Sequence, residues 1–73
     1  MQLEIELDRE VDGRWIADVP ELPGVIVYGA TREEAVTNAK IIALRWIADK
    51  IEHGELPPDF GGVTFSPPVE TAA

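Results

Sequence analysis

Apolar and polar residues alternate with a period of two from residue 2 to residue 9. Side chains separated by two positions project from the same face of a strand, so this alternation predicts a first β-strand with one buried face. The apolar side of this strand comprises Leu3, Ile5 and Leu7, and the acidic side comprises Glu4, Glu6 and Asp8.

Two further strands follow the first. An Asp-Gly pair after the first strand is typical of a hairpin turn, and residues 14–19 resume an extended pattern with Trp15 on the side that we assign to the core. Residues 25–28 are apolar or aromatic throughout, and Gly29 ends the run. These segments predict an antiparallel meander of three strands.

The segment PELPG, residues 20–24, connects the second and third strands. Pro20 has no amide hydrogen and therefore ends the strand ladder. Pro23 and Gly24 suit the two central positions of a type II turn, because proline fixes the first φ angle and glycine accepts a positive one. We predict a stiff structural turn here. Leu22 within it has two open roles, either as a plug in the core or as an exposed anchor for a partner.

A single long helix is predicted over residues 31–53. Thr31 and Glu34 have the spacing of a capping box, and Gly54 followed by two prolines indicates the end of the helix. About 22 helical residues span roughly 33 Å, whereas strands of six or seven residues span about 20–23 Å. We therefore expect the C-terminal end of the helix to overhang the sheet, where a second subunit or a bound protein would cover Trp46, Ile47 and Ile51.

The size of the chain also favours self-association. Its 73 residues form one domain with a marginal core. Small domains are commonly stabilised by disulfides, metals or oligomerisation, and this chain has no cysteine and one histidine. We therefore predict a homodimer or a higher homo-oligomer.

A short fourth strand at residues 63–65 completes the predicted fold. Because it returns after the helix, we expect it to lie parallel to the first strand or to add at a sheet edge. The predicted fold class is α+β with the order β-β-β-α-β, an antiparallel three-stranded meander plus the short strand, and the helix packed on one face. We assign residues 1–66 to this domain and residues 67–73 to a loose C-terminal tail.

The net charge of −8, from 14 acidic and 6 basic residues, limits the classes of partner. A surface this acidic repels nucleic-acid phosphates and attracts basic proteins. It also keeps a small protein in solution, which is the simpler interpretation. No segment approaches the about 18 apolar residues of a membrane span, and the first ten residues do not resemble a signal peptide. We expect a cytoplasmic protein that binds neither nucleic acid nor membrane.

No cofactor, metal or catalytic site is predicted. The alternating acidic residues of the first strand could supply one Mg²⁺ ligand of a nuclease. Side chains two residues apart on a strand are, however, about 6.6 Å apart in a row and do not converge on one ion. A solvated strand face, or a docking strip for a basic protein, is therefore favoured over a divalent-metal-dependent nuclease.

The order of these motifs resembles the HicB-like antitoxins over about residues 3–65. The resemblance is carried by a hairpin turn and an aromatic residue before VPELPG, then by T-x-EEA-x-x-NA opening a helix with a tryptophan near its end. The matching residues are Asp12, Gly13, Trp15, Ala17, Val19 to Gly24, Gly29, Thr31, Glu33 to Ala35, Asn38, Ala39 and Trp46.

This resemblance implies a fold similar to half of a ribonuclease H core. It also implies a non-catalytic, dimeric domain that binds and occludes a small basic HicA-type toxin that cleaves messenger RNA. Many members of that family carry a C-terminal DNA-binding segment. Only eight residues follow Phe65 here, so we do not expect DNA-linked autoregulation. The alternative is a stand-alone dimeric interaction module of unassigned role.

Overall fold

A computed structural model of the chain describes residues 1–57 and 59–70. It has a mixed α+β fold with one helix packed on one face of a sheet. In chain order the elements are β1 (Gln2–Leu3), β2 (Glu6–Arg9), β3 (Trp15–Asp18), β4 (Ile26–Gly29), α1 (Arg32–Glu52), β5 (Thr64–Phe65) and β6 (Val69–Glu70).

The main sheet has the strand order β4-β3-β2-β6. Strands β2, β3 and β4 are antiparallel neighbours, which confirms the predicted meander. Strand β6 runs parallel to β2 along one edge, and β1 and β5 form a separate parallel pair. The predicted return of the chain alongside its first strand, after the helix, is thus confirmed.

The predicted first strand is divided into β1 and β2, and the C-terminal strand beside it is divided in the same way. Amide hydrogens of Thr64, Ser66 and Val69 bond to carbonyl oxygens of the first five residues at 2.8–2.9 Å. Residues 67 and 68 between them are both proline and have no hydrogen to donate. The ladder is therefore interrupted, although Leu3, Ile5 and Leu7 all remain buried on one side.

This edge corrects the prediction for the C-terminal tail. The prediction of a loose tail from residue 67 is wrong for Val69–Glu70, because these residues form β6 beside β2. The Glu70 carboxylate also accepts a hydrogen bond from Arg32 Nε at 2.7 Å and so ties the edge to the start of α1. Residues 71–73 of the predicted tail lie outside the described residues.

The helix begins and ends where its capping residues predict. The Thr31 hydroxyl accepts a hydrogen bond from the Glu34 amide at 3.0 Å. The Glu34 carboxylate accepts one from the Ala30 amide, one residue before the usual position in a capping box. At the other end His53 is the C-cap, and Gly54 follows with φ of 72°.

The inner face of α1 is built from alanines. Ala35, Ala39 and Ala43 are completely buried, so the helix axis lies close to the sheet. The sheet and the helix approach each other closely at Gly29, the last residue of β4, where an added Cβ would be 2.4 Å from the Ala35 nitrogen. The other buried side chains are Leu3, Ile5, Leu7, Ala17, Val19, Leu22, Val25 and Ile47.

The PELPG turn has the predicted geometry. The Val25 amide donates to the Leu22 carbonyl at 3.2 Å, and Gly24 has φ of 83°, as a type II turn requires. Leu22 is only 3% exposed and belongs to the core. Of its two open roles, the core plug is therefore confirmed and the exposed partner anchor is wrong.

The C-terminal half of α1 is covered in part by its own chain. After Gly54 the chain turns back, with the Glu55 and Leu56 amides bonded to the Lys50 carbonyl. This returning segment adds partly buried side chains to the core, namely Leu56, Phe60, Val63 and Phe65. Ile47 is 3% exposed within its own chain, so the prediction that a second subunit or a bound protein covers it is wrong. Trp46 is partly buried against the same core.

The hairpin between β2 and β3 contains a carboxylate held by its own turn. Asp12 accepts hydrogen bonds from the Arg14 amide at 3.1 Å and from Arg14 Nε at 2.9 Å. These contacts hold the pKa of Asp12 below its ordinary value of 3.8. The hydrogen bond from the Arg14 amide is the largest cause, and the Arg14 guanidinium lowers the pKa further.

We expect Asp12→Asn to reduce stability near neutral pH by an amount that shrinks in acid. A carboxylate with a depressed pKa in the folded state stabilises the fold above its unfolded pKa, and the contribution is lost as the pH falls through the folded pKa. Urea unfolding at a series of pH values between about 6 and 2 measures the difference from the unmodified chain. A difference that stayed constant or grew in acid would contradict this assignment.

Candidate protein-binding site

The sheet has one face under α1 and one face without a covering element among the described residues. Because side chains alternate along a strand, the residues between the buried positions share the uncovered side. We call this side the outer sheet face. It comprises Glu6, Asp8, Ile16, Asp18, Ile26 and Tyr28.

The strand register brings acidic and apolar side chains of this face together. One row across the sheet runs from Glu6 to Asp18 and then to Ile26. The next row runs from Asp8 to Ile16 and then to Tyr28. Directly opposed side chains have Cβ atoms about 4.5–5.5 Å apart. All of these residues except Tyr28 line one open, shallow depression.

The three carboxylates in this depression, Glu6, Asp8 and Asp18, form no ion pair within the described part of the chain. One Asp8 oxygen accepts a hydrogen bond from the neighbouring Arg9 amide at 2.7 Å. Glu6 and Asp18 are directly opposed, an arrangement of like charges that destabilises a sheet. Such a local conflict is typical of a surface kept for binding.

The basic residues lie mainly elsewhere on the molecule. Four of the six are in α1, and Arg9 stacks on Trp15 at 5.5 Å from the ring centroid. Arg14 is at the rim of the outer sheet face, where it lies 4.7 Å from the Tyr28 ring centroid and pairs with Asp12. Negative charge is therefore concentrated on the outer sheet face and is not spread evenly over the molecule.

The structure brings together only some of the predicted interface residues. Glu6 and Asp8 are both on the outer sheet face. Glu4 points to the same side but lies before β2, where its amide donates to the Glu21 carboxylate at 3.1 Å. Of the other predicted residues, Leu22 and Ile47 are core residues, and Trp46 and Ile51 are on α1.

Sequence reasoning missed four members of this face, Ile16, Asp18, Ile26 and Tyr28. The period of two correctly puts Asp18 on the side opposite Ala17. It does not show that Asp18 is opposed to Glu6, because pairing partners depend on the register between strands. The four apolar or aromatic residues before Gly29 do not show which side of their strand is exposed, and Ile26 is 56% exposed.

The chemistry of this face suits electrostatic and apolar contact. Among the described residues, no group of three or more histidine, cysteine, aspartate or glutamate side chains is placed to hold a metal ion. The carboxylates form rows along the sheet and can each accept hydrogen bonds from a lysine or arginine of a partner. Ile16 and Ile26 supply apolar contact area between them.

The one helix of the described residues is not long and apolar enough to span a lipid bilayer.

Within residues 1–57 and 59–70, fold and surface define a small α+β domain with one helix on a four-stranded sheet and an acidic outer face that no other element of these residues covers. Comparison with curated proteins finds a UPF0150 protein from the thermophilic archaeon Thermoplasma acidophilum. It is 31% identical over 58 residues, which cover 80% of this chain and 84% of the relative. The chain belongs to the UPF0150 family, which is related to the HicB-like proteins. No family model and no solved structure matches the chain.

Proposed function

We propose that this chain is a HicB-like, non-catalytic binding domain that recognises a small basic protein through its outer sheet face. The observation that carries the proposal is the cluster of Glu6, Asp8 and Asp18, which make no ion pair within the described residues and surround exposed apolar side chains.

A protein partner suits this face better than a small cation. Protein interfaces combine apolar contact with a polar rim, and Ile26 and Ile16 lie beside the carboxylates at this site. Complementary charge speeds association and selects between partners. The direct opposition of Glu6 and Asp18 is unfavourable in the isolated chain, and a bound lysine or arginine relieves it.

The partner class follows from the resemblance to HicB-like antitoxins and from the relation of the UPF0150 family to them. A HicA-type toxin cleaves RNA, and an RNA-binding protein needs exposed cations to hold the phosphate backbone. An acidic face that occupies those cations competes with RNA. The domain then inhibits by occlusion, and none of its own side chains needs to react.

We expect the double substitution Glu6→Lys and Asp18→Lys to weaken binding of the basic partner by at least about 100-fold, because it replaces two attractive contacts by like-charge repulsion. The products of the open reading frames adjacent to this gene are each co-expressed with the chain. A small basic protein that co-purifies is then titrated with both versions of the chain, and its RNA cleavage is assayed at each concentration.

The matched control is the double substitution Glu33→Lys and Asp49→Lys, which makes the same change of net charge at exposed positions of α1. It should leave both the affinity and the inhibition of RNA cleavage unchanged within about threefold, since exposed surface charges far from an interface contribute little to the free energy of binding. Equal weakening by both variants would attribute the binding to net charge and exclude a specific outer face. Failure to recover any basic RNA-cleaving partner would favour the stand-alone interaction module instead.

A further inference from the structure

The helix α1 has a second apolar surface on the side away from the sheet. Ile41, Leu44 and Ile51 are 43%, 49% and 37% exposed, and Ala48 between them is exposed as well. Their spacing of three, four and three residues puts all four on one stripe of the helix. We call these four residues the helix stripe.

The helix stripe is unusual for a helix that already packs on a sheet. Such a helix is apolar on its core side and polar on the opposite side. Here the core side is formed by alanines and Ile47, and large apolar side chains also occupy the opposite side. Single exposed apolar residues need no explanation. Four at the a and d positions of a heptad repeat are the pattern by which one helix pairs with another.

We propose that the helix stripe is a self-association surface that pairs in antiparallel orientation with the same stripe of a second copy of this chain. In the matching register, Ile41 faces Ile51 of the second copy and Leu44 faces Ala48. The four isoleucines and two leucines of the pair are then covered, and each leucine of the central layers faces an alanine. The proposal does not depend on the outer sheet face, which lies on the other side of the molecule.

Charges beside the helix stripe select the antiparallel orientation. Arg45 and Glu52 flank it at e positions, and neither forms an ion pair among the described residues. Helical side chains lean toward the N-terminus of their own helix. In the antiparallel pair, Arg45 of one copy and Glu52 of the other therefore lean toward each other, and the two-fold axis makes this contact twice.

A parallel pair would be electrostatically unfavourable. It would put Lys40, at a g position, next to Arg45 of the second copy, again twice. Like charges at such positions oppose pairing. The charge pattern of the stripe is thus complementary to itself in one orientation and repulsive in the other, which is why we assign it to a second copy rather than to an unrelated helix.

The size of the helix stripe sets the strength of the association. It covers only three helical turns. The area that two such stripes can bury is therefore smaller than the roughly 1,200–2,000 Å² that stable complexes bury. We therefore expect a dissociation constant in the micromolar range. The dimer leaves the two outer sheet faces uncovered, so each can bind its own partner. The interface predicted from the sequence shares only Ile51 with this surface.

Sedimentation equilibrium between about 1 μM and 1 mM tests the surface, because a micromolar dimer dissociates within this range. We expect Leu44→Glu to lower association at least about 30-fold while circular dichroism at low concentration shows an intact fold. The matched control is Ile26→Glu, the same kind of change at an exposed position on the outer sheet face, and it should dimerise normally. A chain that remains monomeric at 1 mM, or loss of the dimer in Ile26→Glu alone, would overturn the proposal.

Cysteine cross-linking tests the orientation, and the natural chain has no cysteine to interfere. Leu44→Cys and Ala48→Cys are prepared separately and oxidised alone and as a mixture. The antiparallel pair predicts disulfides between the two variants in the mixture and few in either variant alone. Cross-links within each variant alone would show a parallel pair, and absence of cross-links at millimolar concentration would exclude contact through the stripe.

Discussion

Replacing Gly29 by alanine is expected to cost about 3 kcal/mol of the free energy of unfolding, the upper end for overpacking a well-packed site. The added Cβ would lie 2.4 Å from the Ala35 nitrogen and 2.9 Å from its Cα. Both are backbone atoms in the first turn of α1, so no side-chain rotation relieves the contact. Either the helix start or the end of β4 must shift.

Urea unfolding measured at micromolar concentration checks this prediction, with Gly54→Ala as the control. Gly54 has φ of 72° and open space around its Cα, so alanine there meets only the backbone penalty of about 1–2 kcal/mol for the left-handed region. The φ angle of Gly29 is not positive. The destabilisation expected for Gly29→Ala therefore comes only from steric contact of the added Cβ. If Gly29→Ala were the milder of the two, the close approach of β4 and α1 would be wrong.

The second large effect is expected for Ala39→Leu, which should destabilise the fold by about 2–3 kcal/mol. Ala39 is completely buried between its two neighbours on the inner face, Ala35 and Ala43. Because Ala39 is completely buried, three extra carbon atoms at this position displace neighbouring core atoms, and α1 must move away from the sheet. The contacts that hold Leu7 and Ala17 beneath the helix would then loosen together.

Ala48→Leu is the matched control, because it makes the same change at an exposed position of the same helix. At micromolar concentration its unfolding midpoint should equal that of the unmodified chain. At millimolar concentration it should tighten self-association, since the added side chain enlarges the helix stripe. Equal destabilisation by both variants would attribute the effect to helix propensity and would contradict the packing argument.

Much of the fold could be predicted because local rules act on local residues. The period of two predicts which side chains of β2 and β3 are buried, and the structure agrees at Leu7 and Ala17. The hydroxyl of Thr31 and the glycine at position 54 mark the ends of α1 within one residue. Pro23 and Gly24 constrain their turn through their own φ angles.

The candidate site could be predicted only in part. The acidic side of the first strand was evident, and Glu6 and Asp8 are on the outer sheet face. Their proximity to Asp18 and Ile26 depends on the register between three strands. The residue pattern of a single strand does not show this register. The helix stripe was not predicted for a similar reason, since a helix with apolar residues on most sides does not show which side meets the sheet.

The sequence by itself determined the order of the meander strands and the helix, the buried sides of β2 and β3, the helix ends and the acidic character of the surface, because each depends on spacing or on single-residue chemistry. Only the tertiary structure decided that Ile47 and Leu22 are covered by their own chain and that residues 69–70 extend the sheet. It also decided which carboxylates meet and which side of α1 remains exposed. These features arise from contacts between segments distant in sequence, whose geometry is set by packing the whole chain at once.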